Sequence, residues 1–216
     1  MRQRIPFLLV GICIISLLLA GCDTTAAGGT TATAVSPTGT TTSGGGQGSI
    51  EAANYCTSKG GEVVTRRPAY GTNGANPLML AGSLQFCQFA GQDQTMIAIS
   101  EDTLYTDQPT MAVLAYLAKP PVEATTGGAN PATAYCRKLG GTDEFGGESD
   151  GGGGGWLSDD KNDPFYVLQT CIFPDLSAID AWGLTYHAQD VIRGTDLSKV
   201  IRYQQPAEQK PGIFGR

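Results

Sequence analysis

The chain has 216 residues, 41% of them hydrophobic and only 16% charged, with 20 acidic against 14 basic side chains. A net charge of −6 argues against nucleic acid or anionic lipid headgroups as main partners, since both require a basic face. One histidine, and no H-E-x-x-H or P-loop motif, leaves no recognisable zinc-protease or phosphate-binding signature.

Arg2 and Arg4 precede an apolar run at 5–19, which ends in Leu19-Ala20-Gly21-Cys22. About fifteen residues fall short of the roughly twenty that a helix needs to cross a bilayer. Small Ala20 and Gly21 directly before a cysteine resemble a bacterial lipobox, rather than a plain signal peptide or an uncleaved anchor, which share the same basic and apolar regions. The expectation is a signal peptide over 1–21 and a mature chain that begins at Cys22, lipidated with diacylglycerol. Its acyl chains, palmitate among them, bury methylenes at about 0.8 kcal/mol each. The protein is then held on the extracytoplasmic face of a bacterial membrane, where the bilayer itself is its first partner.

Residues 22–48 form a tether of Thr, Gly, Ala and Ser, with Val35 as the one large aliphatic residue. Such a segment cannot bury enough apolar surface to offset chain entropy. Its root-mean-square reach is roughly 28 Å, and its extended limit is near 90 Å. Loss of the leader removes two arginines and leaves 12 basic against 20 acidic side chains, a net of −8.

A repeat follows. Tyr55-Cys56-Thr57-Ser58-Lys59-Gly60-Gly61 returns 80 positions later as Tyr135-Cys136-Arg137-Lys138-Leu139-Gly140-Gly141. Phe86-Cys87-Gln88-Phe89 returns 84 positions later as Thr170-Cys171-Ile172-Phe173, and the glycine run Gly151 to Gly155 supplies the insertion. The predicted fold class is therefore α+β, with two tandem small disulfide-stapled modules, 49–122 and 123–216, each a short helix followed by an antiparallel sheet.

Ser49 and Asn130-Pro131 supply helix-start chemistry, and the paired glycines supply a left-handed stop. Strands are predicted at 62–66, 84–90, 95–100, 165–173 and 200–203. A nearly all-apolar helix over 111–118, bounded by Pro109 and Pro120-Pro121, should be buried, between the two copies.

With Cys13 removed and Cys22 lipidated, Cys56, Cys87, Cys136 and Cys171 remain, with three possible pairings. Repeat symmetry selects Cys56 with Cys87 and Cys136 with Cys171. Each loop contributes roughly 3.5 to 4 kcal/mol on a chain-entropy model. A zinc site competes, but it lacks a C-x-x-C spacing and a second histidine.

Asn130-Pro131-Ala132-Thr133-Ala134-Tyr135-Cys136-Arg137-Lys138-Leu139-Gly140-Gly141, then Cys171-Ile172-Phe173-Pro174-Asp175 and Trp182, resembles a bacterial family of unknown function found in small envelope lipoproteins labelled haemolysins. The second half matches best, and the first resembles a diverged copy. Leu176 stands where that family has glycine, Ile179 stands where it often has a further cysteine, and the segment between the paired cysteines is far longer. The resemblance implies an envelope location and no catalytic residues.

Four features remain as candidate sites. His187 would have to serve any triad, with Asp190 or Asp180 and a serine; a surface or packed histidine is the plainer reading. Asp159, Asp160 and Asp163 offer hard oxygen ligands but lack the calcium-loop register, so they read as an acidic loop. Trp156, after the glycine run, would extend that loop into a binding surface for an extracytoplasmic protein or glycan. Arg66-Arg67 inside the first disulfide loop would suit the bait of a protease inhibitor, although Pro68 disfavours cleavage there. The leading expectation is a non-enzymatic binding or structural protein without metal or cofactor, with an extracytoplasmic inhibitor and then a hydrolase as alternatives.

Overall fold

The computed structural model describes residues 49–124, 130–143 and 153–206, all within a compact unit of residues 42–216. The leader, Cys22, the tether, Gly151 and Gly152 lie outside the described residues. Among those described, no helix is long and apolar enough to cross a membrane.

The fold is α+β. Helix α1 (Ile50–Ser58) leads into β1 (Glu62–Tyr70), a short β2 (Leu78–Met79), β3 (Leu84–Ala90) and β4 (Met96–Ser100). Helices α2 (Glu101–Tyr105), α3 (Met111–Ala118) and α4 (Pro131–Lys138) follow. The chain then forms β5 (Gly155–Ser158), β6 (Val167–Leu168), β7 (Thr170–Ile172), β8 (Ala178–Asp180) and α5 (Ala181–Ala188). Ser49 caps α1 by accepting from Ala52 N at 3.1 Å, and Asn130 caps α4 by accepting from Ala132 N at 2.9 Å.

Cys56 is bonded to Cys87 and Cys136 to Cys171, with Cα atoms 5.6 Å apart in each pair. The two glycines of each frame do different work. Gly60 and Gly140 hold φ at +84° and +86° with nothing near a prospective side chain, so they supply the left-handed turn. Gly61 and Gly141 are needed for space: a Cβ on Gly141 would lie 2.6 Å from Cys171 Sγ and 2.8 Å from Cys136 Sγ. The bridge passes directly over the second glycine, and this ties the G-G pair to the cysteine five residues earlier.

All strand pairs are antiparallel, in the order β6-β5-β1-β3-β4-β8-β7, with β2 appended to β1. The two outermost strands, β6 and β7, are separated only by Gln169. One extended segment therefore forms both margins, and the sheet closes into a barrel that leaves no long free edge. Register places Trp156 opposite Leu168 and Asp180 opposite Thr170, so the even-numbered residues of this segment face inward. Phe86, Met96, Ala98, Trp156, Leu168 and Ala178 fill the interior. A second core, which includes both disulfides, Phe89, Ile97, Ile99 and Tyr116, lies between the barrel wall and the helices. Helix α3 belongs to this layer, in keeping with its all-apolar sequence.

The same bonds recur in the two halves. Gly61 N and Gly141 N donate to Cys56 O and Cys136 O, each at 3.0 Å. Glu62 faces Gln88 as Thr142 faces Ile172. The hairpin turns also match: Asp93 Oδ1 accepts from Thr95 N, and Asp175 Oδ1 from Ser177 N. Between them stand Gln94 and Leu176, non-glycine residues at φ +62° and +65°. Leu176, the residue that departs from the glycine of the resembled family, thus occupies a left-handed position. Ile99 pairs with Ile179 across the β4–β8 junction, where the two halves meet.

Here the structure differs from the expectation of a separate sheet in each half. β4 pairs with β8, and β5 from the second half pairs with β1 of the first. A single half would expose those strand margins, and joining them satisfies their backbone groups. The expected strand at 200–203 is instead irregular chain after a 3-10 turn at Leu197–Lys199. Val200, Ile201 and Tyr203 are nonetheless buried, and Val200 O accepts from the Tyr55 hydroxyl at 3.0 Å.

Candidate functional site: a groove beside the acidic loop

β5 pairs with β1 from Arg66 to Ala69, and Asp159 N still donates to Thr65 O at 3.1 Å, so residues 62–64 continue without a strand partner on that side. The loop that follows β5 stands off this stretch and encloses a groove of about 430 Å³, lined by Glu62, Gln88, Asp160, Asp163 and Phe165 among others. That volume lies within the range of small-molecule sites, roughly 300–1,000 Å³.

Arg66 fixes the loop. Its side chain is 0% exposed and points into the barrel, where β-strand alternation would usually place an apolar residue. Its Nη1 donates to Phe165 O at 2.9 Å and to Tyr166 O at 3.2 Å. Nη2 donates to Gln88 Oε1 at 2.5 Å and forms an ion pair with Asp163 at 3.0 Å. Burial lowers the Arg66 pKa, and the nearby carboxylates of Asp163 and Asp180 oppose that shift. Asp180 is itself pushed up to about 6 by burial, with the backbone N–H groups of Gly183 and Trp182 and the charges of Arg193 and Arg66 pulling it back. Further bonds hold the loop from within: Asn162 N donates to Asp160 Oδ1 and Phe165 N to Asp163 Oδ1, each at 2.8 Å. Arg67 pairs with Asp159 at 2.8 Å on the outer surface.

The expected site residues therefore separate. Asp159, Asp160 and Asp163 all line the groove, but Asp163 is occupied by Arg66 and Asp159 by Arg67. Trp156 does not extend a mobile loop. Gly155 already begins β5, and the indole is 7% exposed, packed edge-on against Phe86 with ring centroids 5.9 Å apart. The barrel interior needs that large ring to fill it, so Trp156 leaves the binding surface. Among the described residues, no three His, Cys, Asp or Glu side chains come together as a metal site.

His187 is 4% exposed and stacks on Tyr116, with centroids 3.6 Å apart and planes at 4°. Its Nδ1 is buried without a hydrogen-bond partner, where a triad base would bond a carboxylate. Burial above all, with help from Lys119, lowers its pKa to about 4, so it is neutral near pH 7. Asp190, the suggested partner, bonds Lys119 at the surface instead.

Sequence reading missed Glu62, Gln88 and Phe165 as lining residues. A signal was present for the first two: each sits one position beyond a residue of the disulfide layer, and strand alternation turns it to the opposite face. No family model, curated protein or solved structure matches this chain, so the chemistry of the groove rests on its own geometry.

Proposed function

We propose that this protein is a lipid-anchored binding protein of the bacterial cell envelope, non-enzymatic, built from two fused copies of one disulfide-stapled module and held on the extracytoplasmic face through diacylglycerol on Cys22. The observation that carries this reading is the pair of disulfides, each joining the opening helix of one half to a barrel strand. Such bridges persist in oxidising compartments outside the cytoplasm. The lipobox Leu19-Ala20-Gly21-Cys22 and the resemblance to the haemolysin-labelled envelope lipoproteins support the same location.

A pre-formed groove on a rigid barrel supports a binding role, and the packing of His187 against Tyr116 speaks against a hydrolase. The inhibitor alternative loses its bait, because Arg66 is buried and Arg67 lies within β1 beside β5 rather than on a protruding loop.

The test is metabolic labelling of the full chain with an alkyne-bearing palmitate analogue, followed by membrane fractionation. The expected result is a labelled, cleaved, membrane-bound protein and, for Cys22→Ala, loss of both label and processing. Unaltered labelling of Cys22→Ala would overturn the anchor.

A further inference from the structure

We propose that the groove between residues 62–65 and the acidic loop binds an uncharged saccharide; this deepens the binding role proposed above and rests on it. The chemistry begins with Gln88. Arg66 donates to Gln88 Oε1, and a guanidinium has no acceptor, so the carboxamide oxygen must face Arg66 and its NH2 must turn away. Gln88 is 6% exposed and lines the groove, and its NH2 has no hydrogen-bond partner among the described residues. A nearly buried amide donor therefore faces the groove with no acceptor among the described residues.

Acceptors stand beside this donor. Glu62 lies directly across from Gln88 on the neighbouring strand and on the same face. Neither Glu62 nor Asp160 has a cationic partner among the described residues, and the Asp160 carboxylate accepts only a backbone N–H, from Asn162. A ligand at this place must both accept from Gln88 and donate to the two carboxylates. An ammonium ion only donates and would leave Gln88 facing another donor. A phosphate or sulfate would bring further negative charge to two carboxylates. A hydroxyl group does both. Pro164 and Phe165 complete the lining with an apolar strip that suits the C–H face of a pyranose ring. The loop is fixed by bonds from Arg66 and within itself, so little ordering entropy is lost on binding.

The experiment is an NMR titration of the uniformly 15N-labelled full chain in detergent, read at the Gln88 side-chain NH2 and at the Val63 and Asn162 amides. The probes are maltotriose, cellotriose and triacetylchitotriose, with spermidine and a heparin disaccharide as charged controls. The expected result is a saturable shift of these resonances by at least one neutral sugar at or below about 10 mM, a millimolar interaction. Glu62→Ala, and Asp160→Asn, which keeps an Oδ1 acceptor for Asn162 N, should each weaken it about fivefold or more while leaving the thermal midpoint in place. Silence with all three sugars overturns the proposal, as do shifts produced by either charged control alone and sugar binding that survives both substitutions. Because the reading is taken on purified protein, failure here stays distinct from failure of lipid anchoring, which the labelling experiment scores separately.

Discussion

Replacing Gly141 by alanine should destabilise the protein through the sulfur atoms above it. The new Cβ would stand 2.6 Å from Cys171 Sγ, 2.8 Å from Cys136 Sγ and 3.2 Å from Ile172 O. The first two distances are about 1 Å inside ordinary van der Waals contact, and the bridge can move away only by dragging α4 or β7. Overpacking of this kind costs about 3 kcal/mol, the upper end of the usual range. Closing the 35-residue loop contributes about 3.8 kcal/mol on the chain-entropy model, so worse strain would leave the cysteines reduced instead. Gly140→Ala isolates the other role of the pair: at φ +86° with open space around it, the cost is about 1–2 kcal/mol of backbone strain and owes nothing to sulfur.

The decisive comparison is a double-mutant cycle. In a Cys136→Ala/Cys171→Ala background both close contacts vanish, and Gly141→Ala should cost less than about 1 kcal/mol, giving a coupling of about 2–3 kcal/mol. Urea unfolding followed by tryptophan fluorescence, in a stabilising osmolyte to support the weakened background, supplies the free energies. Thiol titration under denaturing conditions reports whether the bridge has formed. The reasoning is refuted if Gly141→Ala costs the same in both backgrounds, or if Gly140→Ala is the more damaging change when the bridge is present.

Glu101 is fully buried with neither carboxylate oxygen bonded, and burial above all, with the charge of Asp102, raises its pKa from 4.5 to about 7. The folded state then binds more protons than the unfolded between these values, so stability falls as pH rises from about 4.5 to 7. Glu101→Gln should gain up to about 3 kcal/mol on the parent between pH 4.5 and pH 8, as measured by thermal unfolding at both. His187 acts in the opposite direction: its folded pKa of about 4 lies below 6.5, so its contribution is lost as pH falls through that window, and His187→Gln should flatten the acid limb of the curve. Arg66→Met strands Asp163 and Gln88 and should cost about 3–5 kcal/mol in urea unfolding; a neutral result would remove Arg66 as the anchor of the loop. Leu176→Gly removes left-handed strain from a side chain that is 80% exposed and should stabilise the protein by about 0.5–1 kcal/mol, read as a raised urea midpoint.

The disulfide pairing and the recurrent helix were legible because they are local or repeated: the Y-C-x-x-x-G-G frame encodes a helix end, a left-handed turn and a sulfur contact within seven residues. Closure of the barrel was not. The run 165–173 reads as a strand, yet nothing in nine residues reveals that its first part pairs with β5 and its last with β8, since partner choice belongs to the register of distant strands. The same limit hid the groove. Arg66 breaks the alternation of β1, and a charged residue in a strand is ordinarily assigned to solvent, where it suggested a bait. Burial becomes intelligible only when Asp163, 97 residues away, arrives as its counter-charge and three carbonyls accept from the same guanidinium. That arginine also sets the orientation of Gln88, so the donor exposed in the groove follows from a charge hidden behind it. Trp156 failed for the converse reason: five glycines predict freedom for whatever follows them, but a large ring at the start of an inward-facing strand finds a core before it finds a ligand.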